Sequence, residues 1–348
     1  MTHKPIYLTI ALALAAATTG CATLPDDKVP MAAPGAPAAG KTYITTGNPL
    51  FPDVFTADPA PLVVGDTLYL YAGHDQAGEG QMFNITQWLA FSTKDMKTWT
   101  AHGPIMQPTD FSWVISDAWA SQVHEKDGKF WLYTAVEHDP AHGSRGKAIG
   151  VAVADSPLGP FRDARGSALV RNEDTDGPHS WDDIDPTVWT DDDGTSWLIW
   201  GNANCYIAKL APDMISLDGP IRQIDLPDFE EGPWIFKRGD LFYLAYASMD
   251  KTISPDERIS YATAPAITGP WTWRGELMGS AANSFTIHPG VAEFQGEWYM
   301  FYHVGTLDVG GLKGGLGRRA VAVERMHFRP DGLIDHVEQT EAGILSLP

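Results

Sequence analysis

The chain has 348 residues, 44 % of them hydrophobic and 20 % charged, which is enough apolar material for a large buried core. Its 44 acidic against 24 basic residues give a net charge of -20, so a phosphate backbone or an anionic membrane surface would repel it. Neutral ligands are the natural partners, and no nucleic acid is expected.

The first 21 residues, "MTHKPIYLTIALALAAATTGC", carry Lys4, an apolar stretch from Ile6 to Ala17 and small residues up to Cys21. That is the pattern of a secretory signal, too short for a membrane span. A cysteine directly after Thr18-Thr19-Gly20 resembles a bacterial lipoprotein cleavage site, which implies a lipid anchor at Cys21 and a location in the periplasm or cell envelope. Residues 22–41 are rich in Pro, Ala and Gly without an apolar period and read as a tether, with folding expected from Thr42 to the C-terminus. Only Cys205 remains beside Cys21, so no internal disulfide is expected although the compartment permits one.

One pattern then recurs five times along the chain: a turn glycine followed by an aromatic-rich strand. The copies are "GDTLYLYAG" at Gly65, "GKFWLYTAV" at Gly128, "GTSWLIWGN" at Gly194, "GDLFYLAYA" at Gly239 and "GEWYMFYHV" at Gly296. Their spacings of 63, 66, 45 and 57 residues each leave room for a sheet of about four strands. A second echo, such as "LAFSTKDMKTW" or "ISYATAPAITGPW", follows each copy and reads as a strand, a turn and another strand. Five such units predict an all-β fold, a five-bladed β-propeller.

Seven to nine residues before four of the turn glycines stand Asp58, Asp185, Glu231 and His288. The second copy has only Ala120 and Ser121 in that place. The strand that opens each blade lines the channel of a propeller, so these positions converge at one mouth. Asp before Pro is by itself a common turn initiator. Three carboxylates brought together repel one another, however, and such a ring points to a task. "DDDG" at Asp191–Gly194 lacks the spacing of a calcium loop and reads as a solvated hairpin turn.

The segments "NPLFPDVFTADPAPLVVGDTLYLY", "GVAVADSPLGPF", "DDIDPTVWTDDDG", "FEEGPWIFKRGDLFYLAYAS" and "GEWYMFYH" followed by "GRRAVAV" resemble glycoside hydrolase family 43, from Asn48 to the C-terminus. The resemblance implies Asp58 as general base, Asp185 as the carboxylate that tunes and orients, and Glu231 as general acid, with Glu230 the alternative. It also implies inversion at the anomeric carbon, Arg319 (or Arg318) as a substrate contact, and a calcium ion on the channel axis near His288, although hard cations prefer oxygen ligands. The family acts mainly on β-D-xylosides and α-L-arabinofuranosides. The expected partner is therefore an oligosaccharide, and the expected activity an exo-acting β-xylosidase, with arabinofuranosidase or arabinanase as alternatives. Trp119, beside the slot without an acid, offers an apolar wall to a sugar ring. His74 and Trp88 lie in or near the first-blade insertion "GHDQAGEGQMFNITQW", which is placed to roof the pocket. A non-catalytic sugar-binding propeller is the rival of another class; neutral sugars need polar groups but not three clustered acids.

Overall fold

The structure, a computed structural model, describes residues 30–345. The signal segment, Cys21 and residues 22–29 of the expected tether lie outside the described residues. The compact unit begins at Met31, about ten residues before the expected start at Thr42. Glu79 N–H donates to Met31 O, Gly40 N–H to Ala101 O and Ala101 N–H to Lys41 O. The small side chains let this stretch lie flat on blade 1. Pro34 lacks an N–H but keeps a carbonyl acceptor, which takes His74 Nε2.

Each blade opens with a hairpin, and all five hairpin turns contain the glycine expected from the repeat. Gly65, Gly128, Gly194, Gly239 and Gly296 have φ between 59° and 83°, a region that costs a glycine nothing. The opening strands are Thr56–Val64, Ser121–Lys126, Thr187–Thr190, Phe229–Arg238 and Gly290–Phe294. Each touches the next in a closed cycle, so they are the inner strands of a five-bladed β-propeller. The second echoes form the outer strands, for example Ile85–Thr93 with Thr98–Met106 in blade 1 and Arg258–Ala264 with Thr272–Met278 in blade 4.

Blade 5 has three paired strands, ending with Ala320–Met326. Its free edge is covered by residues 48–56 on their way into blade 1, and this closes the ring. Leu50 N–H donates to Val321 O and Thr56 N–H to Arg319 O, each at 2.8 Å. Asn48 imitates a strand residue with its side chain, donating to Val323 O and accepting Val323 N–H. Such edge covering removes an exposed row of backbone groups. The core lies between blades and is heavily aromatic. Trp88, Trp99, Trp113 and Trp200 are fully buried, and Phe51 stacks on Phe91 at 3.8 Å.

Candidate active site

Asp58, Asp185 and Gly232 each precede a proline at the mouth end of an inner strand, and each has left-handed backbone, with φ of 53°, 59° and 60°. Aspartate tolerates that region better than most residues, though at a cost. In blade 4 glycine takes the left-handed position and the acid, Glu231, moves one residue upstream. A Cβ on Gly232 would stand 3.1 Å from His288 Nδ1, so the close approach also favours glycine. The strand pairing slips around these residues, between Ala57 and Ala60 and on either side of Glu231. Such bulges re-aim side chains.

The result is a cavity of about 360 Å³ lined by Asp58, Asp185, Glu231, His288 and Arg319 among others. Asp58 and Asp185 are buried, at 8 % and 5 % exposure. Burial alone would raise the Asp58 carboxyl, but the Arg319 charge and further nearby charge outweigh it and hold the group below the usual carboxylate range. Arg319 Nη1 donates to Asp58 Oδ1 at 3.0 Å, and His303 Nδ1 stands 3.3 Å from the same oxygen. Asp185 is pushed well above its ordinary value by burial and then by the charges of Glu231 and Asp58, although Gly232 N–H donates to its Oδ2 at 3.0 Å. Glu231 is partly exposed to the cavity and accepts a hydrogen bond from Asn202 Nδ2 at 2.9 Å. Burial and the Asp58 charge push it up to about 7. Two carboxyls in one cavity are thus driven to opposite protonation states, which is what acid and base partners need.

The sequence pattern of Glycosyl hydrolases family 43 matches residues 46–334. The chain belongs to that family. Among curated relatives, it is 29 % identical to an arabinoxylan arabinofuranohydrolase of Bacillus subtilis over 88 % of its own length, and spans 66 % of that protein. It is 30 % identical to a β-D-galactofuranosidase of Aspergillus niger, with 86 % of each chain covered. Among solved structures it superposes, with a TM-score of 0.72 and 26 % identity, on a family 43 β-xylosidase/α-arabinofuranosidase from a compost metagenome, solved with xylotriose in a calcium-free form; 86 % of this chain and 99 % of that one are covered.

Within this family 43 cavity the structure gathers Asp58, Asp185, Glu231, His288, Trp119 and Arg319. Glu230 lines it too and pairs with Lys251 at 3.3 Å. Arg319 is buried, with Nε and Nη2 on the two oxygens of Asp75. Arg318 instead clamps loops, donating to Lys313 O and Gly78 O. Trp119 is partly buried, with the Lys147 ammonium 3.9 Å from its ring centre. His74 and Trp88 are not in the pocket. Both are fully buried at strand positions of blade 1, because the insertion's loop is confined to residues 76–84. His74 Nδ1 accepts from Gln87 Nε2 at 2.8 Å, which leaves Nε2 protonated to donate to Pro34 O. Trp88 Nε1 donates to Trp119 O at 2.8 Å and so braces the wall from behind. The loop itself does reach the pocket, through Met82 and Phe83.

Asp75, Asn202 and His303 were missed by sequence reasoning, though a signal existed. Each stands at or within two residues of the end of the second strand of its blade, in "YLYAGHD", "WLIWGN" and "FYHV", a second polar tier beside the first. Glu257, Phe285 and Trp181 also line the cavity, from loops with no repeat position to mark them. His288 is 6 % exposed and burial lowers its pKa to about 4, which keeps the imidazole neutral. Among the described residues no three His, Cys, Asp or Glu side chains are grouped to hold a metal ion. The residues present therefore do not form a protein cage for calcium, whose preference is for six to eight oxygen ligands.

Proposed function

We propose that this family 43 chain is an exo-acting, inverting glycoside hydrolase. On this reading it releases terminal pentoses from plant cell-wall oligosaccharides, β-D-xylosides first and α-L-arabinofuranosides second. The observation that carries the reading is the opposed pair in one cavity: Asp58 held ionised by Arg319, and Glu231 held toward its protonated form.

In the reaction that pair supports, Asp58 takes a proton from water as the water oxygen attacks the anomeric carbon. The glycosidic bond breaks, and the Glu231 proton passes to the leaving oxygen. Asp185 acts through its hydrogen bond from Gly232, which fixes the residue next to Glu231. Arg319 orients Asp58 and is itself oriented by Asp75. Trp119, Phe83 and Phe285 supply apolar walls, and a 360 Å³ cavity suits a small sugar better than a long chain. The loop carrying Met82 and Phe83 stands on one side of the mouth, which favours cutting from an end.

The relatives' names support pentosides, while the Aspergillus niger protein's activity adds galactofuranosides as a second reading. Incubation with xylobiose, arabino-oligosaccharides, linear arabinan, aryl hexosides and an aryl β-D-galactofuranoside tests both. Release of single pentoses supports the proposal; rapid internal cutting of arabinan, or preference for any hexoside, defeats it.

A cation on the channel axis and a lipid anchor complete the proposal. A cation near His288 would have to be held mostly through water, and chelation with calcium add-back tests it through melting temperature and rate. Export and lipidation at Cys21 rest on residues 1–21 alone. Metabolic labelling with a radioactive fatty acid, lost in Cys21→Ser, tests the anchor.

A further inference from the structure

Glu257 is a carboxyl of the same cavity with no part in the scheme above. It stands just before the strand Arg258–Ala264 of blade 4 and is only 2 % exposed. Its backbone N–H donates to Phe285 O at 2.9 Å, and its Oε2 accepts Ile287 N–H at 2.9 Å. It therefore grips both sides of Thr286, two residues ahead of His288. The second oxygen, Oε1, takes no hydrogen bond from the described residues. It is not one of the fully buried unpartnered atoms, so it opens to the cavity, where water or a ligand hydroxyl completes it. Burial drives this carboxyl above the ordinary carboxylate range, toward the protonated form that can donate a hydrogen bond.

We propose that Glu257 is a substrate-binding residue that reads one hydroxyl of the sugar held among Asp58, Asp185 and Glu231. Its Oε2 is spent on Ile287, which fixes the plane of the carboxyl and leaves Oε1 for the ligand. The ligand class is a neutral polyol. A sugar carrying a phosphate or carboxylate would meet five acids and only the already committed Arg319. Removing a buried partner from a site built to bind a hydroxyl penalises the substrate that has the hydroxyl and spares the analogue that lacks it.

The inference rests on the glycosidase reading, and its test separates the two. The aryl glycoside that the wild type cleaves best is compared with its monodeoxy analogues, for wild type, Glu257→Gln and Glu257→Leu. Glu257→Leu should lose about tenfold or more in kcat/KM on the parent substrate, yet lose little on one deoxy analogue, the one missing the hydroxyl that Glu257 reads. Glu257→Gln, whose amide both accepts from Ile287 and donates to a hydroxyl, should stay within about threefold of wild type. An equal loss on the parent and every deoxy analogue makes Glu257 a scaffold residue and overturns the proposal, as does wild-type kinetics in Glu257→Leu. If Glu257→Leu does not fold, Glu257→Ser is held to the same pattern. A wild type that cleaves no aryl glycoside defeats the glycosidase reading instead.

Discussion

Arg319 gives Nη1 to Asp58 Oδ1 at 3.0 Å while its Nε and Nη2 take the two oxygens of Asp75, so one buried guanidinium joins blade 1 to blade 5 and sets the charge of the proposed base. The Asp58 carboxyl is held below its ordinary value of 3.8, chiefly by this arginine working against burial. Its contribution to stability is present above the unfolded value and lost as pH falls through the folded one.

Arg319→Met leaves Asp58 buried without its cation, and burial then raises the carboxyl. We expect kcat/KM to fall by about 10²-fold or more and to rise with pH over a range where the wild type is flat. A variant with a smaller loss and an unchanged acid side of its pH profile would separate Arg319 from Asp58.

Glu231 runs the other way. Its folded pKa of about 7 lies above the ordinary 4.5, so the fold favours the protonated form. That stability is complete below about pH 4.5 and is lost as pH rises through 7. Glu231→Gln, which cannot ionise, should melt with the wild type at pH 4 and above it at pH 8, while its rate drops by at least about 10²-fold. The wild-type rate should fall on the alkaline side with an apparent pKa near 7. A Glu231→Gln protein no more stable than wild type at pH 8 would contradict the assignment.

His74 and Trp119 divide structure from binding. His74→Leu removes two part-buried hydrogen bonds and should cost about 1–3 kcal/mol, read as a lower melting temperature with KM unchanged. Trp119→Ala should raise KM by about tenfold, since it opens a wall of the cavity. A KM effect from His74, or none from Trp119, would reverse their places.

What the sequence made legible was whatever the repeat repeats. Asp58, Asp185, Glu231 and His288 sit at nearly the same offset from their turn glycines, so periodicity alone gathers them at one mouth of the channel. Asp75, Asn202 and His303 obey the same logic one strand later, but their offsets from the glycine vary and the residue types differ. Trp88 and His74 were misplaced because an insertion's length does not say where strand ends and loop begins; the strands run on to Asp75 and resume at Ile85. Residues 31–41 misled by composition, since small apolar residues without a period pack flat against a sheet as well as they form a tether. Glu257 and Phe285 come from irregular loops, where only folding in three dimensions brings them to the cavity.

If Asp58 activates water while Glu231 protonates the leaving group, the first product forms with inverted anomeric configuration. Proton NMR during cleavage of an aryl β-D-xyloside, read before mutarotation, should show α-xylose appearing first. β-Xylose appearing first would mean a covalent intermediate and would contradict the role given to Asp58.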